Sequence, residues 1–60
     1  MDNYTAIMIA EGVIEPKDEQ KVIQAWQQLI DTGIAWRLQG WFGRQAKFMI
    51  ETGLCKRASK

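Results

Sequence analysis

The sequence predicts an all-α fold, a small bundle of two main helices at about 16–32 and 35–52 with a short N-terminal helix. Apolar residues recur at helical spacing in both main segments. The phrases LIDTG and MIETG, which end at Gly33 and Gly53, each place a glycine where such a segment stops. The chain has only 60 residues, so residues 1–60 are expected to form one small helical domain.

The N-terminal stretch NYTAIMIAEG fits either a helix or a strand. Asp2 or Asn3 can cap a short helix that ends at Gly12. The apolar face of that helix is expected to consist of Tyr4, Ile7 and Met8. Tyr, Thr and Ile also favour strands, but a lone strand has no sheet to join in a chain this small, so the helix is preferred.

The first main helix is expected to begin near EPKDEQ. Pro16 suits the first helical position, where its missing N–H is not needed, and the acids after it favour the positive end of the helix dipole. An apolar stripe at positions i, i+3, i+4, i+7 and i+8 then predicts the buried face: Val22, Ala25, Trp26, Leu29 and Ile30. Gly33 ends the helix in the left-handed conformation.

The second main helix is predicted from about Ala35 to Thr52, with Gly53 as its stop. Its apolar line consists of Ala35, Leu38, Phe42, Ala46 and Met49. Gly40 and Gly43 weaken the pattern, because each costs about 1 kcal/mol in a helix interior relative to alanine. The segment is therefore either one helix with close packing at those glycines, or a helix broken near Gly40–Gly43.

The repeated phrase is interpreted as two helix stops rather than a duplication, since the similarity ends upstream of it. In such a stop the residue after the glycine packs on the residue four positions before the glycine. Both pairs are apolar here: Ile34 with Leu29, and Leu54 with Met49. Asp31 and Glu51 remain unexplained, because the helix dipole disfavours an acid at the C-terminal end.

Composition argues against several classes of function. The chain has no histidine and one cysteine, Cys55, so an internal disulfide, the usual zinc and haem ligand sets and the base of a catalytic triad are missing. We predict no enzyme activity, cofactor or metal; Cys55 is more typical of a small hydrophobe than of a reactive thiol, and its role is open. The absence of a signal-peptide pattern or a membrane-length apolar stretch predicts a cytoplasmic protein with no membrane partner.

The charge is distributed unevenly along the chain. Residues 1–36 carry two lysines and six acids, a net −4, whereas residues 37–60 carry six basic residues and one acid, a net +5. This polarity suits an anionic partner for the second half or head-to-tail self-association, although it also fits a dipolar protein that is merely soluble. Residues 55–60 are expected to form a frayed basic C-terminal tail.

One flank of the second main helix is the candidate binding surface. On a helical wheel two aromatic residues lie beside the apolar line, and an arginine precedes each of them by four residues, within reach of its ring. Trp, Phe and Arg are enriched at interface cores. The predicted partner-binding residues are Arg37, Trp41, Arg44 and Phe48, with Trp36 and Lys47 as secondary members. The competing interpretation is that Trp41 and Phe48 cover the N-terminal helix as part of the core.

Nucleic-acid binding is the alternative function. Two helices joined at a glycine match a helix-turn-helix, whose second helix would present Arg37, Arg44 and Lys47 to DNA. The acidic N-terminal half and the scarcity of base-reading side chains argue against this alternative.

From Ala25 to Cys55 the sequence AWQQLIDTGIAWRLQGWFGRQAKFMIETGLC resembles a group of short, uncharacterised proteins found mostly in bacteriophage and prophage genomes. The upstream IAEGVIE matches that group more loosely. The resemblance implies a phage protein that works in the bacterial cytoplasm, and it supplies no catalytic residues. The predicted function is therefore a non-enzymatic interaction module that binds and modulates a host protein, alone or as a homodimer.

Overall fold

The computed structural model describes residues 1–58, and within them three α-helices and one short 3-10 helix form the protein. In chain order they are α1 (Asn3–Glu11), α2 (Glu19–Thr32), the 3-10 helix (Ile34–Trp36) and α3 (Gly40–Glu51). Residues 1–58 contain no strand, which confirms the all-α class and the helical choice for the N-terminal segment. None of their helices combines the length and apolar character needed to cross a bilayer.

The ends of α1 are fixed by the two signals expected of them. The carboxylate of Asp2 accepts a hydrogen bond from the backbone N–H of Thr5 at 2.7 Å, and hydrogen bonding by Thr5 lowers the pKa of Asp2. Gly12 adopts a φ of 82°, so the chain reverses and the N–H of Val13 reaches the carbonyl of Met8 at 3.0 Å.

The packed face of α1 differs from the predicted one. Ala6 and Ile9 are buried, whereas Tyr4 is largely exposed to solvent. Ile7 packs against the core from the edge of that face. The reason is that α1 lies closely against α2, and the small Ala6 side chain permits a close approach that a tyrosine at the contact would prevent.

The start of α2 lies three residues beyond Pro16, so the prediction that Pro16 occupies its first turn is wrong. Asp18 is the N-cap, and its carboxylate accepts a hydrogen bond from the N–H of Gln20 at 2.9 Å. A capping carboxylate satisfies a free helical N–H, which a proline at the first position cannot do. Residues 12–18 therefore form a connector between α1 and α2.

The segment 35–52 is not one helix. The 3-10 helix ends at Trp36, the chain leaves helical geometry, and α3 starts at Gly40 behind the extended Gln39 (ψ 153°). The break predicted near Gly40–Gly43 thus falls just ahead of Gly40, and Gly43 lies inside α3. A Cβ built on Gly43 would lie 3.6 Å from the ring of Trp36, so the turn before α3 packs directly on this glycine.

The core lies where α1, α2, the 3-10 helix and α3 meet, and it confirms most of the predicted stripes. It consists of Ala6, Ile9, Ala25, Trp26, Leu29, Ile30, Ala35, Phe42, Ala46, Met49 and Cys55, with Val22 and Leu38 packed at its edge. Each of the four helical elements contributes one fully buried alanine. Small side chains at these points bring the helical backbones close together.

The repeated phrases are two helix stops, as predicted. Gly33 and Gly53 adopt left-handed φ values of 82° and 85°. The hydroxyls of Thr32 and Thr52 donate to the carbonyls four residues earlier, at 2.8 and 3.0 Å. The Phe48 carbonyl also accepts from the backbone N–H of Thr52 at 2.9 Å, so the Thr52 hydroxyl adds a second hydrogen bond to it. Leu54, which was predicted to pack on Met49, stays half-exposed. The backbone N–H of Cys55 donates to the carbonyl of Met49 at 3.0 Å.

The C-terminal segment is not frayed from residue 55 as predicted. Cys55 is buried in the core. The backbone N–H of Lys56 donates to the Gln27 side chain at 2.8 Å, and the Lys56 carbonyl accepts from the same amide at 2.8 Å. Two hydrogen bonds thus fasten this segment to α2, and the remainder of the predicted tail, Ser59 and Lys60, lies outside the described residues.

Candidate binding surfaces

The six residues predicted to bind a partner do not form a single patch. Trp41 and Phe48 lie on one side of α3, which we call the aromatic flank. Trp36, Arg44 and Lys47 instead line a groove elsewhere on the surface of the helix. Arg37 lies on neither surface, because it precedes α3 as the cap of the 3-10 helix. The helical spacing that paired Arg37 with Trp41 therefore does not apply.

Trp41 belongs to the core by one face and to the surface by another. Its ring stacks on Phe42 with centroids 3.9 Å apart and an interplanar angle of 30°. It also meets Trp26 edge-on, with centroids 6.4 Å apart at 72°. The side chain nevertheless remains 39 % exposed. These aromatic contacts are with α2 and α3 rather than with the N-terminal helix, and the stacked ring is held in one orientation.

Phe48 lies two turns beyond Trp41 on the same side of α3 and is 53 % exposed. The guanidinium of Arg44 does not cover it, because the Nη1 atom lies 3.5 Å from where a Cβ on Gly40 would be. Arg44 thus extends towards the start of α3, whereas Phe48 lies one turn towards its end. The phenyl ring faces water, which is unfavourable unless a partner covers it.

The groove has a volume of about 770 Å³ and is open to solvent. Its apolar part is formed by Ile30, Trp36 and Ile50, and its charged rim by Arg44, Lys47, Glu51 and Arg57. Three cations against one carboxylate make the rim basic. An apolar floor beneath a basic rim suits an acidic segment that also carries apolar side chains.

The 3-10 helix is the element that places Trp36 in the groove. Its turn is closed by hydrogen bonds from the N–H of Trp36 to the carbonyl of Gly33 at 3.2 Å and from the N–H of Arg37 to the carbonyl of Ile34 at 2.9 Å. These bonds set the indole beside Gly43 of α3, where an added Cβ would lie 3.6 Å from the ring. Trp36 is 52 % exposed and forms one wall of the groove.

Four of these groove residues were not predicted to bind a partner: Ile30, Ile50, Glu51 and Arg57. Ile50 lies at the margin of the apolar line of α3, and that position is the sequence signal that could have placed it in the groove. Arg57 lies in the segment predicted to be frayed, and no local signal indicates that it packs back. Glu51, unexplained by helix physics, lies among the groove's cations, where its carboxylate has favourable charges nearby.

Asp31, the other unexplained acid, supports the C-terminal segment. Its carboxylate accepts a hydrogen bond at 2.9 Å from the amide of Gln27, the residue that fastens Lys56. The thiol of Cys55 lies beside it, 3.7 Å from the carbonyl of Ile23. Burial and the charge of Asp31 both raise the pKa of Cys55, so the thiol stays protonated near neutral pH and is a poor nucleophile.

The fold and these surfaces define a small helical domain with an exposed aromatic flank and a basic groove. Residues 7–60 match the family described as Domain of unknown function (DUF7417), and the chain belongs to that family. This confirms the expected membership of an uncharacterised family. No curated protein and no solved structure matches the chain significantly. The family carries no assigned activity, so function is argued from the surfaces.

Proposed function

We propose that this chain is a non-enzymatic, phage-encoded interaction module that binds and modulates a host protein in the bacterial cytoplasm. The observation that carries the proposal is the aromatic flank, where Trp41 and Phe48 expose large apolar surface two turns apart on one helix. Exposed aromatic side chains on a well-packed scaffold are typical anchors of protein interfaces.

The flank suits recognition in which α3 lies in a groove of the partner. Trp41, Gln45 and Phe48 follow the spacing i, i+4 and i+7, so their Cβ atoms share one side of α3. Trp41 is already held by its stacking on Phe42, which reduces the entropy lost on binding. Phe48 supplies the second anchor, and the exposed Gln45 between the rings can hydrogen-bond the partner.

The setting of the proposal rests on the resemblance of Ala25–Cys55 to short bacteriophage and prophage proteins. Such proteins act inside a bacterial cell, where a host macromolecule is the available target. A helix with two aromatic anchors can cover a functional groove of that target, and this is how we propose that modulation occurs.

Phe48→Ala tests the proposal, with Tyr4→Ala as a matched control. Both residues are exposed aromatics on helices, and alanine favours helix, so neither variant should lose its fold. In affinity capture from a bacterial lysate, we expect a protein that wild type and Tyr4→Ala retain and Phe48→Ala loses. With the captured protein purified, loss of one anchor should weaken binding about tenfold or more. Identical captured proteins for all three chains would contradict the role of the flank.

Nucleic-acid binding in the manner of a helix-turn-helix is the second candidate, because Arg44 and Lys47 of α3 and Arg57 give the groove its basic rim. Binding through phosphates weakens steeply between about 50 and 200 mM salt. Retention on DNA or RNA at the lower concentration, lost at the higher one and in Lys47→Glu, would favour this alternative. A chain that is not retained at the lower concentration excludes it.

A further inference from the structure

We infer that the basic groove holds the 12–18 connector of a second copy of this chain, so that the protein associates head to tail. The inference is separate from the proposed host binding, because it uses the groove and not the aromatic flank. The occupant is indicated by the two exposed aliphatic side chains of the connector, Val13 and Ile14.

The connector presents adjacent branched aliphatic side chains to solvent. Val13 is 68 % exposed and Ile14 is 42 % exposed. Their backbone N–H groups both donate to the carbonyl of Met8, at 3.0 and 3.3 Å, which fixes the pair at the end of α1. Connecting segments usually carry polar residues, so two aliphatic side chains held in fixed positions are more typical of a contact surface.

The charges beside this pair complement those of the groove. Four exposed acids lie in the connector or directly beside it, Glu11, Glu15, Asp18 and Glu19, with Lys17 among them. The groove has the opposite arrangement, an apolar floor under a rim of three cations and one carboxylate. Both the apolar and the charged parts of the two surfaces therefore match, which is the pattern of a specific interface.

A chain cannot fill its own groove with its own connector. The connector precedes the start of α2, whereas the groove includes Ile30 near the end of α2. The twelve residues from Asp18 to Ile30 separate the two surfaces by roughly 18 Å along the helix. The occupant must therefore come from another molecule, and a groove of about 770 Å³ is comparable with sites that enclose a small ligand, roughly 300–1,000 Å³.

A charge exchange between two variants tests the inference. Glu15→Lys alters only the connector and Lys47→Glu alters only the groove, and both residues are exposed, so the fold is expected to survive. By sedimentation of the full chain at about 50 mM salt, wild type should be heavier than a monomer at high micromolar concentration. Each variant alone should associate about tenfold more weakly, because like charges then meet.

An equimolar mixture of the two variants should recover association close to that of wild type. In the mixture the connector altered by Glu15→Lys meets the groove altered by Lys47→Glu, so opposite charges face each other again, and the unaltered connector meets the unaltered groove. Arg37→Glu is the control, since it makes the same change of charge on an exposed residue that does not line the groove. It should leave association close to that of wild type.

Three results would overturn the inference: a wild type that is monomeric at high micromolar concentration, a mixture that associates no better than its components, or an Arg37→Glu variant as weak as Lys47→Glu. Ile14→Ser provides a second route that leaves the charges intact. It should also weaken association, because it removes an apolar side chain from the contact. Failure of this proposal leaves host capture through Phe48 unaffected, so the two proposals can fail separately.

Discussion

The aromatic flank and the groove differ in how aromatic side chains become exposed around one short helix, α3. On the flank, Trp41 extends from the core, because its ring stacks on Phe42 and contacts Trp26. At the groove, Trp36 comes from outside the helix and lies over Gly43. The first surface is supported by a large aromatic cluster, and the second by a turn that packs beside Gly43. Mutations should therefore affect stability very differently on the two surfaces.

Trp41→Ala should have the largest effect on stability. The substitution removes an aromatic ring that stacks at 3.9 Å on a core residue, so we expect the free energy of unfolding to fall by about 2–4 kcal/mol. A domain of this size has little stability to spare, and urea denaturation followed by circular dichroism should show a partly unfolded protein. In the same assay Phe48→Ala should lie within about 0.5 kcal/mol of wild type. Equal losses of unfolding free energy in the two variants would show that the core does not hold Trp41 more firmly than Phe48.

Gln27→Ala should have an intermediate effect that is specific to the groove. The Gln27 side chain makes both hydrogen bonds to the backbone of Lys56, and the following Arg57 forms part of the groove rim. We expect a loss of about 1–2 kcal/mol in stability and faster amide exchange at Lys56. Amides in the middle of α3 should exchange faster only to the extent that the whole domain has become less stable. Unchanged exchange at Lys56 would mean that another contact holds the segment.

Gly43→Ala should have the smallest effect, and in the opposite direction. A Cβ at this position would meet the Trp36 ring at 3.6 Å, an ordinary van der Waals contact. Alanine is favoured over glycine in a helix interior, so the free energy of unfolding should rise by about 0.5–1 kcal/mol. Thermal unfolding measures this change. A destabilised variant would show that the turn packs on α3 more tightly than the geometry indicates.

Features of the fold that depend on neighbouring residues could be predicted from the sequence. The apolar stripe of α2 and the glycine stops at Gly33 and Gly53 each depend on a few residues along one helix. The start of α2 was missed because two local signals compete, and the capping carboxylate of Asp18 prevails over Pro16.

Features that depend on contacts between distant residues could not be predicted. The bonds between Gln27 and Lys56 join positions 29 residues apart, and nothing near Lys56 indicates them. The placement of Trp36 over Gly43 likewise depends on how the turn packs on α3. For this reason the division of the candidate residues into a flank and a groove could not be predicted, and their role in binding stays a prediction.

The central claim is that α3 carries two separate binding surfaces. The most direct measurement compares Phe48→Ala with Lys47→Glu, neighbours in sequence on different surfaces, in affinity capture from a bacterial lysate. We expect Phe48→Ala to lose a protein that the wild type captures, and Lys47→Glu to retain it. Loss of the protein by both variants, or its retention by both, would contradict the division of α3 into an aromatic flank and a groove.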